Sequence, residues 1–393
     1  MVMSDVYIVE AKRTAIGSFG GSMKGLSSVD LAVPIIKNVL SKSNVPADQV
    51  DEVILGNVFK AGGKGNPARQ AGIKAGLAKE TPAMTIDKQC ASGLRAITLG
   101  ALEIGAGDAD IVVAGGTESM SNVPHLLLNS RWGQKMGDMK TVDGLLYDGL
   151  HCAIEGYHMG VTAENLVEKY GISREEQDEF ALRSQDKALK AIEENRFADE
   201  IVPLTIKRRR EELEFKVDEF PKSTSKDKLA KLSPAFKKGG SVTAGNASGI
   251  NDGAAITVLA SEEAVKRHNL KPIGRIVSSA SAAVDPSIMG IGPVPATQKA
   301  LKKANMDISQ MELVELNEAF AAQVLAVNKE LGIDEEKINV NGGAIALGHP
   351  VGCSGARIVV TLLHEMKKRQ QTYGLASLCV GGGQGVSIIV ESL

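Results

Sequence analysis

Residues 90–95 read CASGLR and residues 353–357 read CSGAR, and the fold turns on whether these stretches are two copies of one motif. Aligned on Ser-Gly-x-Arg, Ser92 falls on Ser354 and Arg95 on Arg357, while Cys90 falls opposite Gly352. Each copy opens an apolar helical stretch. Each is followed by a β-branched run closing on glycines, IVVAGG (111–116) in one and SLCVGGG (377–383) in the other. Three shared residues alone are compatible with coincidence; the shared sequel makes a duplicated α/β unit the better reading. At the position of Cys90 the first copy then carries a thiol where the second has glycine.

The totals agree with a duplication. A chain of 393 residues, 43% hydrophobic, is longer than one ordinary core serves, so two domains or a doubled one is expected. A formal net charge of −2 lacks the basic excess of a nucleic-acid binder, so no nucleic-acid partner is expected. No apolar run reaches the roughly 18–20 residues of a membrane helix, and MVMSDVYIVEAKRTAIG has no basic-then-apolar signal pattern. Four scattered cysteines (Cys90, Cys152, Cys353, Cys379) do not make a disulfide framework, which fits a reducing cytoplasm.

Along the chain, Val6–Val9 reads as a first strand, and DEVILGNV and ADIVVAGG as buried parallel strands. Helical stretches run from Asp30 to Leu40 and from Gly93 to Ile104, and the alternation indicates the α/β class. From Ser121 to about Gly249 the pattern changes. A long helix there opens with a capping box, Ser173 and Glu176. The KRRR run at 207–210 is followed at once by Glu211, Glu212 and Glu214, so a solvated hairpin is expected rather than an anion patch. Alternation resumes from Ile273.

Several residues have the chemistry of a site. Cys90 precedes a helix, whose N-terminal N–H groups and dipole lower a thiol's pKa; a lone buried cysteine would be inert. His349 lies between Gly348 and Pro350, where glycine permits close approach and proline extends the preceding residue; a surface histidine in a turn has the same sequence. Cys379 ends a strand at GGGQG, whose bare amides can meet an oxyanion, though a core cysteine fits equally. Asn317 stands where a strand gives way to a helix, as a site residue or as an N-cap. A zinc site lacks any C-x₂-C pair. A dinucleotide loop at GGGQGV fails because Val386 occupies the third glycine position.

The motifs QCASGLRA, NASGINDGAA, LNEAFA, GGAIALGHPVGCSGAR and CVGGGQG occur in the order found in thiolases, and the resemblance covers essentially the whole chain. It is closest to the short, biosynthetic branch, with degradative 3-ketoacyl-CoA thiolases of broader chain length as near relatives. The resemblance implies the thiolase fold: duplicated α/β halves in a five-layered αβαβα core, with an inserted loop domain covering CoA. The halves would be 1–120, completed by 250–270, and 271–393, with 121–249 as the insertion. It further implies reversible Claisen condensation of two acetyl-CoA to acetoacetyl-CoA and CoA through an acyl-cysteine.

By the same resemblance Cys90 is the nucleophile, His349 its base, and Cys379 the acid/base at the α-carbon. Asn317 beside His349 serves one oxyanion hole, and the N–H groups of Cys90 and Gly381 form the other. His158, Met159, Phe236, Ala244, Ser248, Met289, Ala319 and Phe320 match positions lining the pantetheine tunnel. Many thiolases have an arginine near FPK for the adenosine end; here Pro221 and Lys222 stand there, and Lys222 is the substitute contact. No metal or redox cofactor is implied, CoA thioesters being substrates, and the subunits would form a homotetramer, a dimer of dimers. A non-catalytic CoA-ester or lipid-binding relative would have lost a cysteine or the histidine, and all three are present.

Overall fold

The computed structural model describes residues 5–207 and 212–393. The first part holds β1 (Val6–Arg13), β2 (Gly17–Ser18), α1 (Ser28–Ser43), β3 (Glu52–Gly56), α2 (Pro67–Ala75), β4 (Ala83–Ile86), α3 (Ser92–Ala106) and β5 (Ile111–Ser119). A middle segment follows with β6 (His125–Leu127), β7 (Thr141–Asp143), α4 (Met159–Tyr170), α5 (Arg174–Glu193), β8 (Leu204–Lys207), β9 (Glu212–Phe215) and α6 (Lys226–Ala230). The remainder is β10 (Asn251–Ser261), α7 (Glu262–Arg267), β11 (Gly274–Ala283), α8 (Pro293–Ala304), β12 (Leu313–Leu316), α9 (Ala321–Leu331), α10 (Ala344–Leu347), α11 (Val351–Arg369), β13 (Tyr373–Val380) and β14 (Gln384–Ser392).

The duplication is visible strand by strand. The main sheet runs β12-β13-β14-β11-β1-β10-β5-β3-β4. On either side of the β11–β1 junction the pairing senses repeat. β1–β10 and β10–β5 are antiparallel and β5–β3 parallel, as β11–β14, β14–β13 and β13–β12 are. β4, parallel to β3, has as counterpart a single parallel bridge between Val314 and Ile338. Within the sheet, the described residues of the two halves pair at Tyr7↔Arg275 and Ile8↔Gly274.

Side-chain alternation builds the layers. Ile54, Val112 and Ala114 point to a central core shared with α3, α11 and the strands of the second half. Val53, Leu55 and Val113 point to the opposite core under α1 and α2. Leu316, Leu375 and Ile389 face a third core with α8 and α9. Both faces being buried, the strands read in sequence as continuous apolar runs. Helix α11 is covered nearly all round, as a helix between the two halves of the main sheet must be.

Some bounds differ from expectation. β1 extends to Arg13 rather than ending at Val9, because Arg13 pairs with Ala255 of β10 and its charge is held inside by Asp218 and Glu200. α1 and α3 outrun the expected spans at both ends; α1 is opened by a Ser27–Asp30 capping box. The Ser173–Glu176 box opens α5 as expected. β8 and β9 pair antiparallel, with Arg208–Glu211 of the expected solvated hairpin outside the described residues. Among the described residues, no helix is long and apolar enough to cross a membrane.

Candidate active site

Where the middle segment closes over the two halves there is an apolar cavity of about 1250 Å³, open mouth included. Cys90, His349 and Gly381 stand on its wall with His158, Met159, Lys222, Phe236, Ala244, Ser248, Met289, Ala319 and Phe320. Residues separated by up to most of the chain thus converge. The rings of His158 and Phe236 stack with centroids 4.6 Å apart, and Phe320 meets Phe236 edge-on. The Lys222 ammonium lies over the Phe220 ring. Ala247 and Ile250 of NASGINDGAA and Phe220 beside Lys222 also line the cavity, as do Met120, Leu150 and Ala235, which lie in none of the motifs.

Cys90 sits on a turn ahead of α3. Gln89 adopts a left-handed φ of 46°, and the Ser92 hydroxyl closes the turn, accepting from Lys88 N–H (2.8 Å) and donating to the Gln89 carbonyl (2.7 Å). The sequence predicts a lowered thiol pKa, and the structure reverses the sign. Burial pushes the Cys90 thiol up to about 11, outweighing the Gly381 and Cys90 N–H groups that donate to its sulfur. The resting thiol keeps its proton near neutral pH and needs a base. A Cβ at Gly381 would press only on Met159 Cε (2.8 Å), the flexible end of that side chain.

His349 is no surface histidine; it is 6% exposed. Its N–H donates to Asn251 Oδ1 (2.9 Å), and Asn251 in turn donates to the Gly17 carbonyl. Gly348, at φ 105°, permits this, since a Cβ would come within 2.4 Å of the Asn251 amide. Burial, then the Arg357 charge, hold the imidazole's pKa down to about 4, so it is neutral at pH 7. Nδ1 lies 2.6 Å from Ser354 Oγ; among the described residues Nε2 has no hydrogen-bond partner.

Two predicted residues lie behind the wall rather than on it. Cys379, at the end of β13, is fully buried and packs with Met289, Ala319 and Phe320. Burial, then the neighbouring Cys90, push its thiol well up. Asn317 follows β12 and is not a helix cap, the N-cap of α9 being Phe320. Among the described residues, both polar atoms of its side-chain amide are buried without a partner, as is His349 Nε2. Three unpaired polar atoms in a fully buried setting are what a polar reactant would satisfy.

A carboxylate the motifs do not single out ties this site across the halves. Glu118 accepts from Val58 N–H (2.9 Å), Phe59 N–H and Asn57 Nδ2 in the first half. It also accepts from Gly352 N–H (2.8 Å) at the start of α11 in the second. Burial raises its pKa to about 7. It fixes the His349 loop against the first half, where Cys90 stands.

A doubled α/β fold whose halves present a thiol with amide donors, and a neutral imidazole, to one apolar cavity defines an enzyme of cysteine-based acyl transfer. The chain belongs to the thiolase family: residues 6–263 match the thiolase N-terminal domain and 270–392 the thiolase C-terminal domain. An acetyl-CoA acetyltransferase of Pseudomonas aeruginosa is 56% identical over 388 residues, 98% of this chain and 99% of that protein. The crystal structure of the Bacillus anthracis acetyl-CoA acetyltransferase superposes with TM-score 0.98 at 51% identity, each chain fully covered. Human mitochondrial 3-ketoacyl-CoA thiolase in complex with CoA gives TM-score 0.96 at 46% identity, covering 100% of this chain and 99% of that one.

Proposed function

We propose that the chain is an acetyl-CoA acetyltransferase, interconverting two acetyl-CoA with acetoacetyl-CoA and CoA. The observation that carries this reading is Cys90, its sulfur beside two amide N–H groups, sharing one cavity with a buried His349 whose Nε2 is unengaged among the described residues. In thiolysis Cys90 gives its proton to His349 and attacks the 3-keto carbonyl. The carbon–carbon bond breaks, and the departing acetyl-CoA enolate takes a proton from Cys379, whose raised pKa suits a thiol kept protonated for donation. The proton on His349 then restores Cys379. CoA gives its thiol proton to His349, attacks the acyl-cysteine and leaves as acetyl-CoA, and Cys90 recovers its proton. Condensation is the same path reversed.

The developing oxyanions would meet the Cys90 and Gly381 N–H groups on one side. On the other they would meet Asn317, through a water, beside His349. His158, Met159, Phe236, Ala244, Ser248, Ala319 and Phe320 form the tunnel for the pantetheine arm, and Lys222 at its mouth takes the adenosine end. Met289 and Phe320 crowd the acyl end, which favours acetoacetyl-CoA over the longer substrates of the degradative branch. Steady-state thiolysis of 3-ketoacyl-CoAs of graded length tests this. A steep fall beyond acetoacetyl-CoA is expected; comparable kcat/KM on a long chain would overturn it in favour of the degradative reading.

The same reading takes residues 1–120 with 250–270 and residues 271–393 as the catalytic halves, and 121–249 as the CoA-covering insertion. On this reading the reaction runs on the chain's own side chains and backbone amides, without metal or redox cofactor, in the cytoplasm. A homotetramer is supported by the β6–β7 arm, where Trp132 is 87% and Met136 88% exposed. Exposed apolar side chains on a two-stranded arm are expected to be covered. A solution mass showing an active monomer at micromolar concentration would refute it.

A further inference from the structure

We infer that Ser354, the second-half copy of the repeated serine, is a positioning residue that holds His349 in the tautomer with its proton on Nδ1, leaving Nε2 free to take the Cys90 proton. This rests on the proposed role of His349 as base.

The argument is one of proton counting. Ser354 Oγ lies 2.6 Å from His349 Nδ1 and 2.9 Å from the Pro350 carbonyl oxygen. A carbonyl oxygen can only accept, and the serine has one hydroxyl proton. The Pro350 oxygen also accepts from the Cys353 (3.0 Å) and Ser354 (2.9 Å) N–H groups, and the 2.9 Å approach of Oγ to it is the usual back-bond of a helical serine, which places the hydroxyl proton between the two oxygens. Oγ is left to accept, so Nδ1 must carry the hydrogen. The other tautomer would turn the hydroxyl to Nδ1 and leave two oxygens 2.9 Å apart with no proton between them. It would also put a hydrogen on Nε2, which has no partner among the described residues, and abolish the lone pair the thiol proton needs. Ser354 is 1% exposed, so water does not readily take over its part.

The other copy of the serine does a matching job. Ser92 bridges Lys88 N–H and the Gln89 carbonyl and so shapes the turn that presents Cys90. The repeated Ser-Gly-x-Arg motif thus presents the nucleophile in one half and orients the base in the other.

The test uses the full-length protein with histidine labelled at both ring nitrogens by 15N, the His349 signals being assigned by their loss in His349→Asn. The resting wild type should show the proton on Nδ1. In Ser354→Ala the proton should move toward Nε2. The rate of acetyl transfer from acetyl-CoA to Cys90 should fall roughly 10- to 100-fold, as typical for loss of a group orienting a histidine, with KM for acetyl-CoA little changed. Ser354→Thr, which keeps a hydroxyl, should keep most of the rate. A wild-type proton on Nε2 would overturn the proposal without any variant having to fold. So would an unchanged tautomer in Ser354→Ala, or equal losses in Ser354→Ala and Ser354→Thr, which would indicate packing alone. If His349→Asn labels Cys90 at the wild-type rate, the base reading fails; the tautomer measurement still stands by itself.

Discussion

Replacing Cys379 by serine separates the two thiols, because their surroundings assign them different work. Cys379 is fully buried at the end of β13, with its backbone paired to Gly385 of β14. Serine is nearly isosteric and leaves that ladder intact. Its hydroxyl buried among Met289, Ala319 and Phe320 would cost about 1–3 kcal/mol without a partner, against a total stability of about 5–15 kcal/mol, so the variant should fold. Cys90 keeps its own N–H donors and its own base, and should still accept an acetyl group from acetyl-CoA. A serine hydroxyl is a far poorer proton carrier than a thiol near neutral pH, so condensation should fall by roughly 10²- to 10⁴-fold, the usual share of a general acid or base. The assay pairs radiolabelled acetyl-CoA, counted on protein, with acetoacetyl-CoA formation. Stable label on Cys379→Ser with little product, and no label on Cys90→Ala, is the expected outcome. Label persisting on Cys90→Ala, or absent from a folded Cys379→Ser, would refute the division of labour.

Met289→Ala should enlarge the acyl end of the cavity and raise kcat/KM for 3-ketohexanoyl-CoA relative to acetoacetyl-CoA by roughly tenfold. That is about the worth of two buried methylenes at ~0.8 kcal/mol each; an unchanged ratio would show that Met289 does not set chain length. The imidazole of His349 is held at about 4 against an ordinary 6.5, so the unfolded chain takes the proton first as pH falls. The wild type therefore loses stability from pH 6.5 down to about 4, and His349→Asn should lose less over that window, by up to about 3 kcal/mol. Urea midpoints at both ends of the window check the difference, and parallel acid limbs would contradict it. Gly116→Ala would place a Cβ 2.0 Å from the Gly352 carbonyl and 2.9 Å from Gly93, where β5, α3 and α11 meet. A loss of about 3 kcal/mol or more in urea unfolding is expected from such overpacking, and a wild-type midpoint would mean that this crossing can relax.

What could be read directly from the chain was whatever depends on neighbours within a turn or a strand. The Ser173–Glu176 box is closed by atoms three residues apart, and α5 starts where it says. The apolar runs of β3 and β5 and the two Ser-Gly-x-Arg copies likewise announced a doubled α/β unit. The site motifs were legible as short strings, and most of their residues do meet at one cavity. Tertiary structure decided the rest, because burial and hydrogen bonding sum over segments that composition cannot place together. The charged end of β1 is a strand only because β10 pairs with it. Cys90 has a raised rather than a lowered pKa because the desolvation of its cavity outweighs the amides at its sulfur. His349 is held inside by Asn251, 98 residues away, and that burial, then the Arg357 charge, keeps its ring neutral. Glu118 reaches Gly352 across 234 residues to set the halves in register. Local pattern names the reactive groups, whereas the energy of moving their protons depends on how much water the distant chain removes from around them.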